Sequence, residues 1–137
     1  MSGRPADAAS TRPVDAAPQL QLRIRVRVGE VVAIGPGKIA LLEAIREHGS
    51  ISAAARSLAM SYRRAWLLLD ELNRSLAEPA ITTAQGGRRG GGASITASGE
   101  ALLDLYRGIE HDALQATRRD TARLLRMLAE PGSAGRD

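Results

Sequence analysis

SISAAARSLAMSYRRAWLLLDELNRSL, residues Ser50 to Leu76, reads as two short helices joined by a tight turn. Ser50 suits an N-cap, because its hydroxyl can accept an otherwise unpaired amide of the first turn. Ala53, Ala54, Ala55 and Leu58 follow as a thin apolar face, whose small residues let a second helix cross closely. Ser61 repeats the capping signal, and Ala65, Leu68, Leu69, Leu72 and Leu76 then recur at helical spacing. Tyr62, Arg63, Arg64 and Trp66 are left near the N-terminal end of that second helix. This is the layout of a helix-turn-helix, in which the second helix offers its N-terminal side chains to base edges while its other face stays buried. Any amphipathic helical hairpin of a small α domain shares the pattern, so the flanking chain has to decide between the two.

Upstream, LQLRIRVRV alternates Leu20, Leu22, Ile24, Val26 and Val28 with Gln21, Arg23, Arg25 and Arg27, the period of a half-buried strand. Its arginines suit either phosphate contact or the protection of a sheet edge by charge. Gly29 and Glu30 turn the chain into a second extended piece, VVAIG. The fragment Gly35-Pro36-Gly37-Lys38 is not a phosphate-binding loop. Such a loop needs a glycine where Val32 stands and a Ser or Thr where Ile39 stands. Pro36 instead starts a helix that buries Ile39, Leu41, Leu42 and Ile45, ends at Gly49 and leaves His48 at the surface. Downstream, Glu78 and Pro79 end the second helix of the pair. AITTAQ and ASIT read as strands flanking GGRRGGG, in which five glycines surround Arg88 and Arg89. Glycine permits close approach to another surface, and the two arginines could reach a minor groove or its phosphates. A basic loop or another anion nest fits that segment equally well in isolation. Its place directly after a helix-turn-helix favours the wing of a winged helix-turn-helix.

Thr96 or Ser98 caps the last long segment, where Leu102, Leu105, Tyr106, Ile109, Ala113 and Ala116 form a stripe that Leu124, Leu125 and Leu128 resume. So long a terminal helix is expected to pack against a second copy, the alternative being that it folds back on its own domain. The expected organisation is a disordered tail over 1–18, a winged helix-turn-helix over 19–97, a dimerisation helix over 98–130 and a tail over 131–137. The fold class is mainly α with a small β component. The 137 residues suffice for one modest core, and the net charge is +4 with Lys38 the sole lysine. Arginine suits bidentate contact to phosphate and guanine. With no cysteine and two separated histidines, His48 and His111, no metal site is expected. No apolar run approaches the roughly 20 residues that span a bilayer, so a cytoplasmic protein without membrane contact is expected.

Leu20 to about Ile109 resembles the N-terminal DNA-binding domain of the molybdate-responsive repressor family ModE, itself related to the winged domains of LysR-type regulators. The residues that carry the resemblance are the basic strand, SISAAARSLAMSYRRAWLLLDELN, the wing GGRRGGGA with SIT, and the GEALLDLYR helix. The resemblance implies a homodimer on a palindromic operator in double-stranded DNA. It places Ser61, Tyr62, Arg63, Arg64 and Trp66 in the recognition segment and Gly86 to Gly92, with Arg88 and Arg89, in the wing. Trp66 is open between stacking near DNA with Tyr62 and packing in the core. Family members that sense molybdate carry small β-barrel domains after this one, which the sequence to Asp137 lacks. The expectation is therefore a stand-alone DNA-binding regulator in molybdenum-related gene control, without a cofactor. The alternative is an interaction module that forms a heterodimer with a full-length relative and modulates it without reading DNA alone. No nucleophile motif, histidine–carboxylate pair or complete phosphate loop points to an enzyme.

Overall fold

Pro36 sets the backbone for a first helical turn, and Gly49 takes up the left-handed conformation at φ 80° that ends the same helix, with its amide donating to the Ile45 carbonyl at 2.8 Å. This helix, α1 (Pro36–His48), is the centre of the computed structural model, which describes residues 16–84 and 92–130. Ile39, Leu41, Leu42 and Ile45 are fully buried along it. α2 (Ile51–Ser57) and α3 (Tyr62–Ser75) follow as the helical pair. Ser50 caps α2 by accepting the Ala53 amide at 3.1 Å, and Ser61 caps α3 by accepting the Arg64 amide at 3.1 Å. Ala59 takes a left-handed φ of 56° in the turn between them.

Two small antiparallel hairpins complete the unit spanning Leu22–Asp112. β1 (Val26–Val28) pairs with β2 (Val31–Ile34), and β3 (Ile81–Thr83) pairs with β4 (Ala93–Ile95) in the register Ile81↔Ile95, Thr83↔Ala93. The element order of helix, helix, helix, hairpin is that of a winged helix-turn-helix, mainly α with a small β part. α4 (Ala97–Ala116) closes the core with Leu103 and Tyr106. Thr96 caps it, its hydroxyl oxygen accepting the Gly99 amide at 3.0 Å. Residues 85–91, with Arg88 and Arg89 of the expected wing, and the expected tails, apart from residues 16–18, lie outside the described residues.

Two expectations need correction. The strand expected over Leu20–Val28 is regular only at Val26–Val28, and a bulge interrupts its register between Val26 and Arg27. Leu22 and Ile24 are half-buried, and the Tyr106 hydroxyl donates to the Ile24 carbonyl at 2.8 Å, but Val26 and Val28 are exposed. All three residues of β1 are exposed, because a two-stranded ribbon has no layer over its far end. On α4 Leu103, outside the expected stripe, is buried in the core, whereas Leu105 of that stripe is 66% exposed. The segment expected as one helix over 98–130 is two, α4 and α5 (Arg118–Leu125). Between them Thr117 leaves helical geometry at φ −106°, ψ 13°, its hydroxyl bonding back to the Ala113 carbonyl at 2.7 Å. No helix among the described residues is long and apolar enough to cross a membrane.

Lys38, the residue of the rejected phosphate loop, is buried and structural. Its ammonium donates to the carbonyls of Val32 at 2.5 Å and Ala33 at 3.4 Å and pairs with Glu71 of α3 at 2.8 Å. It therefore ties β2 and α1 to the helix that carries the candidate interface. Lys38→Ala is expected to lower unfolding free energy by about 2–4 kcal/mol, through a cavity and carbonyls left without their donor. Lys38→Met, which keeps the stem, should lose less. Urea titration of both variants checks this, and an alanine loss below about 0.5 kcal/mol would remove the anchoring role.

A second tie crosses from α1 to α4. Arg107 donates in a fork to both Glu43 oxygens, at 2.8 and 2.6 Å, and to Glu110 at 2.7 Å. These hydrogen bonds hold the Glu43 carboxyl below its ordinary 4.5, against a smaller opposing effect of burial. Because the folded value lies below the unfolded one, the contribution is complete at neutral pH and is lost as pH falls from about 4.5 through the folded value. Both side chains are partly exposed, so the effect is small and screened by salt. Glu43→Gln should flatten part of the acid limb of a stability–pH curve, read by thermal melts at low salt.

Candidate nucleic-acid interface

α3 is amphipathic in the strict sense that its two faces have different tasks. Ala65, Leu69 and Leu72 are buried against α1 and α2, where Ala54 and Ala55 leave room for the crossing. The opposite face is open. Tyr62 is 54%, Trp66 46% and Leu67 49% exposed, and Ser61, Arg63 and Arg64 are exposed beside them. The structure thus brings together the five recognition residues expected from sequence. Ser61 also has the separate task of capping. Trp66 is not in the core: it follows Ala65 directly, about 100° round the helix from it, and although it lies only three positions from Leu69 it remains 46% exposed at the margin of the buried face.

The cations divide into two groups. Lys38, Arg46, Arg74 and Arg107 are all engaged in ion pairs, with Glu71, Glu100, Asp70 and Glu43 respectively. Arg63 and Arg64 form no ion pair with a described residue. Neither does Arg56, exposed in the last turn of α2 beside the turn into α3. Unpaired guanidiniums gathered at one end of a helical hairpin leave positive charge available to a polyanion. Arg56 was not singled out from the sequence, although a basic last turn of the first helix, which crosses the backbone in this motif, is a signal for it.

The mounting of the wing rests on residues that periodicity does not reveal. The Asn73 side chain, near the end of α3, accepts the amides of Ala80 at 2.7 Å and Ile81 at 3.4 Å and donates to the Ile81 carbonyl at 3.2 Å. One side chain thereby replaces a neighbouring strand at the start of β3. Thr96 donates its hydroxyl to the Pro79 carbonyl at 2.6 Å and its amide to the Ala80 carbonyl at 2.9 Å. From the other side, the Ala93 amide of β4 donates to the carbonyl of Gly49 at 2.9 Å. The base of the wing is therefore fixed to both the recognition helix and the end of α1. No group of three or more metal-ligating side chains is clustered among the described residues.

The family model of bacterial regulatory helix-turn-helix proteins, lysR family, matches residues 37–100. The chain is 48% identical over 77 residues to the molybdenum-pterin-binding protein MopB of Rhodobacter capsulatus, covering 56% of this chain and 28% of that protein. It is 38% identical over 92 residues to the molybdenum transport protein ModE of Azotobacter vinelandii, covering 67% and 34%. With the DNA-binding transcriptional dual regulator ModE of Escherichia coli K12 it shares 33% identity over 88 residues, covering 64% and 34%. The chain thus spans about a third or less of the length of these relatives. Among solved structures it resembles the CbnR_DBD–DNA complex, at 25% identity and a TM-score of 0.50, covering 64% of this chain and 95% of that one.

Proposed function

Residues 37–100 are a lysR-type helix-turn-helix domain homologous to that region of ModE and MopB, and on that footing we propose that the protein is a sequence-specific DNA-binding transcriptional regulator in molybdenum-related gene control. The observation that carries the reading is the free face of α3: Arg63 and Arg64 without ion pairs, on a helix held from behind by Ala65, Leu69 and Leu72. Ser61, Tyr62, Arg63, Arg64 and Trp66 meet the major groove. Arg88 and Arg89 at the wing tip, and Arg56, meet flanking phosphates.

The protein acts as a homodimer on a palindromic operator, with half-sites about 34 Å apart. Supporting this, α4 exposes Leu105 (66%) and Ile109 (54%) one turn apart on its outer side, an apolar surface that a second copy would cover. Leu105→Asp with Ile109→Asp is expected to give a monomer by sedimentation and to weaken operator binding at least about tenfold, with the fold unchanged by circular dichroism. Retention of the dimer would move the interface elsewhere.

The deciding experiment is selection of bound sequences from random DNA by the full chain, with and without molybdate. An enriched inverted repeat is the expected result. Enrichment of no sequence at all would overturn the reading, and a molybdate-dependent outcome would tie the response to the oxyanion directly.

A further inference from the structure

The outer face of α3 carries more exposed apolar surface than contact with phosphates can use. Tyr62, Trp66 and Leu67 are each about half exposed. A step of four residues along a helix brings Trp66 over Tyr62 and Leu67 over Arg63. These four side chains line one open cleft. One wall of the cleft is the Arg63 guanidinium, which forms no ion pair with a described residue, as is true of its neighbour Arg64, so the cleft suits an anionic partner such as the nucleic acid proposed above. The charged phosphates offer an indole or an isobutyl group no favourable contact, and contacts to sugar C–H groups carry no sequence information. On the major-groove edges of a duplex, the distinctive apolar group is the 5-methyl of thymine.

Resting on the DNA-binding reading above, we propose that Trp66 and Leu67, buttressed by Tyr62, form a thymine-methyl-reading patch. Each half-site then carries thymine beneath the second turn of α3, beside the guanine or phosphate met by Arg63 and Arg64. From Tyr62 to Leu67 the helix rises about 7.5 Å, roughly two base-pair steps, so the patch covers one or two thymines. Leu67 is thus a specificity-determining residue, distinct from Leu69 and Leu72, which are buried on the other face of the same helix.

The test uses an operator selected from random DNA and the full chain. Each thymine is replaced singly by deoxyuridine, which deletes the methyl group and leaves base pairing and the protein untouched. Affinity is expected to fall about three- to fivefold at one or two positions per half-site, the scale of one buried methyl group. Leu67→Ala or Trp66→Ala should bind the thymine operator less tightly and lose the sensitivity at the position each contacts. Circular dichroism confirms that these exposed substitutions leave the fold intact. Uracil operators that bind as tightly as thymine operators at every position overturn the proposal, as does a sensitivity that survives unchanged in both variants. These results leave the regulator reading standing. Enrichment of no operator removes both.

Discussion

A Gly99→Ala substitution is expected to lower the melting temperature by about 12–24 °C, the equivalent of about 3 kcal/mol in a domain of this size. Gly99 lies in the first turn of α4, buried against the base of the wing. A Cβ there would stand 2.3 Å from the Ala80 carbonyl oxygen and 2.7 Å from Cγ2 of Ile95. The isoleucine could rotate, but the carbonyl cannot. Ala80 is held at its amide by Asn73 and at its carbonyl by the Thr96 amide. Relief therefore requires moving α4, the start of β3 and the end of α3 apart, and these three contacts mount the wing. Gly108, in the same helix with nothing within 4 Å of an added Cβ, supplies the control. Gly108→Ala should be neutral or stabilising by up to about 1 kcal/mol, since alanine is the better helix former. Thermal melts of the pair decide the matter: equal behaviour would show that the close approach at Gly99 is not a constraint.

Replacing Arg63 and Arg64 together by alanine should weaken DNA binding by about 100-fold or more while leaving unfolding free energy within about 0.5 kcal/mol of the original. The separation of the two effects follows from the structure, because neither guanidinium is paired with a described residue. A residue that meets phosphate should, when removed, lower affinity for all sequences alike. It should also reduce the slope of log affinity against log salt by about one. A residue that meets a base edge should relax preference at one operator position and leave the salt slope nearly unchanged. Single variants titrated across salt concentrations assign the two roles. Unchanged affinity in the double variant would take the recognition segment away from α3.

The features legible in the sequence are those set by near neighbours in the chain. Ser50 and Ser61 cap amides three residues on, and Gly49 ends a helix by its own left-handed φ. The spacing of Ala65, Leu69 and Leu72 marks a buried face because helical geometry repeats within a single turn. That Tyr62, Arg63 and Arg64 lie outside that buried face followed from the same spacing as the remainder. The strand before the helices was overextended for a related reason: alternation reports which side chains share a face, but not whether another layer covers it. Val26 and Val28 keep the period and remain exposed.

By itself, then, the sequence of Ser50 to Leu76 determined the helical pair, its caps and which face of the second helix is free, since each is a consequence of contacts within about four residues. The tertiary structure alone decided where the free face is held and what is mounted beside it. Lys38 reaches Glu71 across 33 positions, Asn73 organises a strand that begins eight residues later, and Gly99 admits a carbonyl from Ala80. None of these has a period or a motif. Each exists because two segments distant in the chain leave a buried polar group or a narrow gap that one particular side chain, or the lack of one, can satisfy.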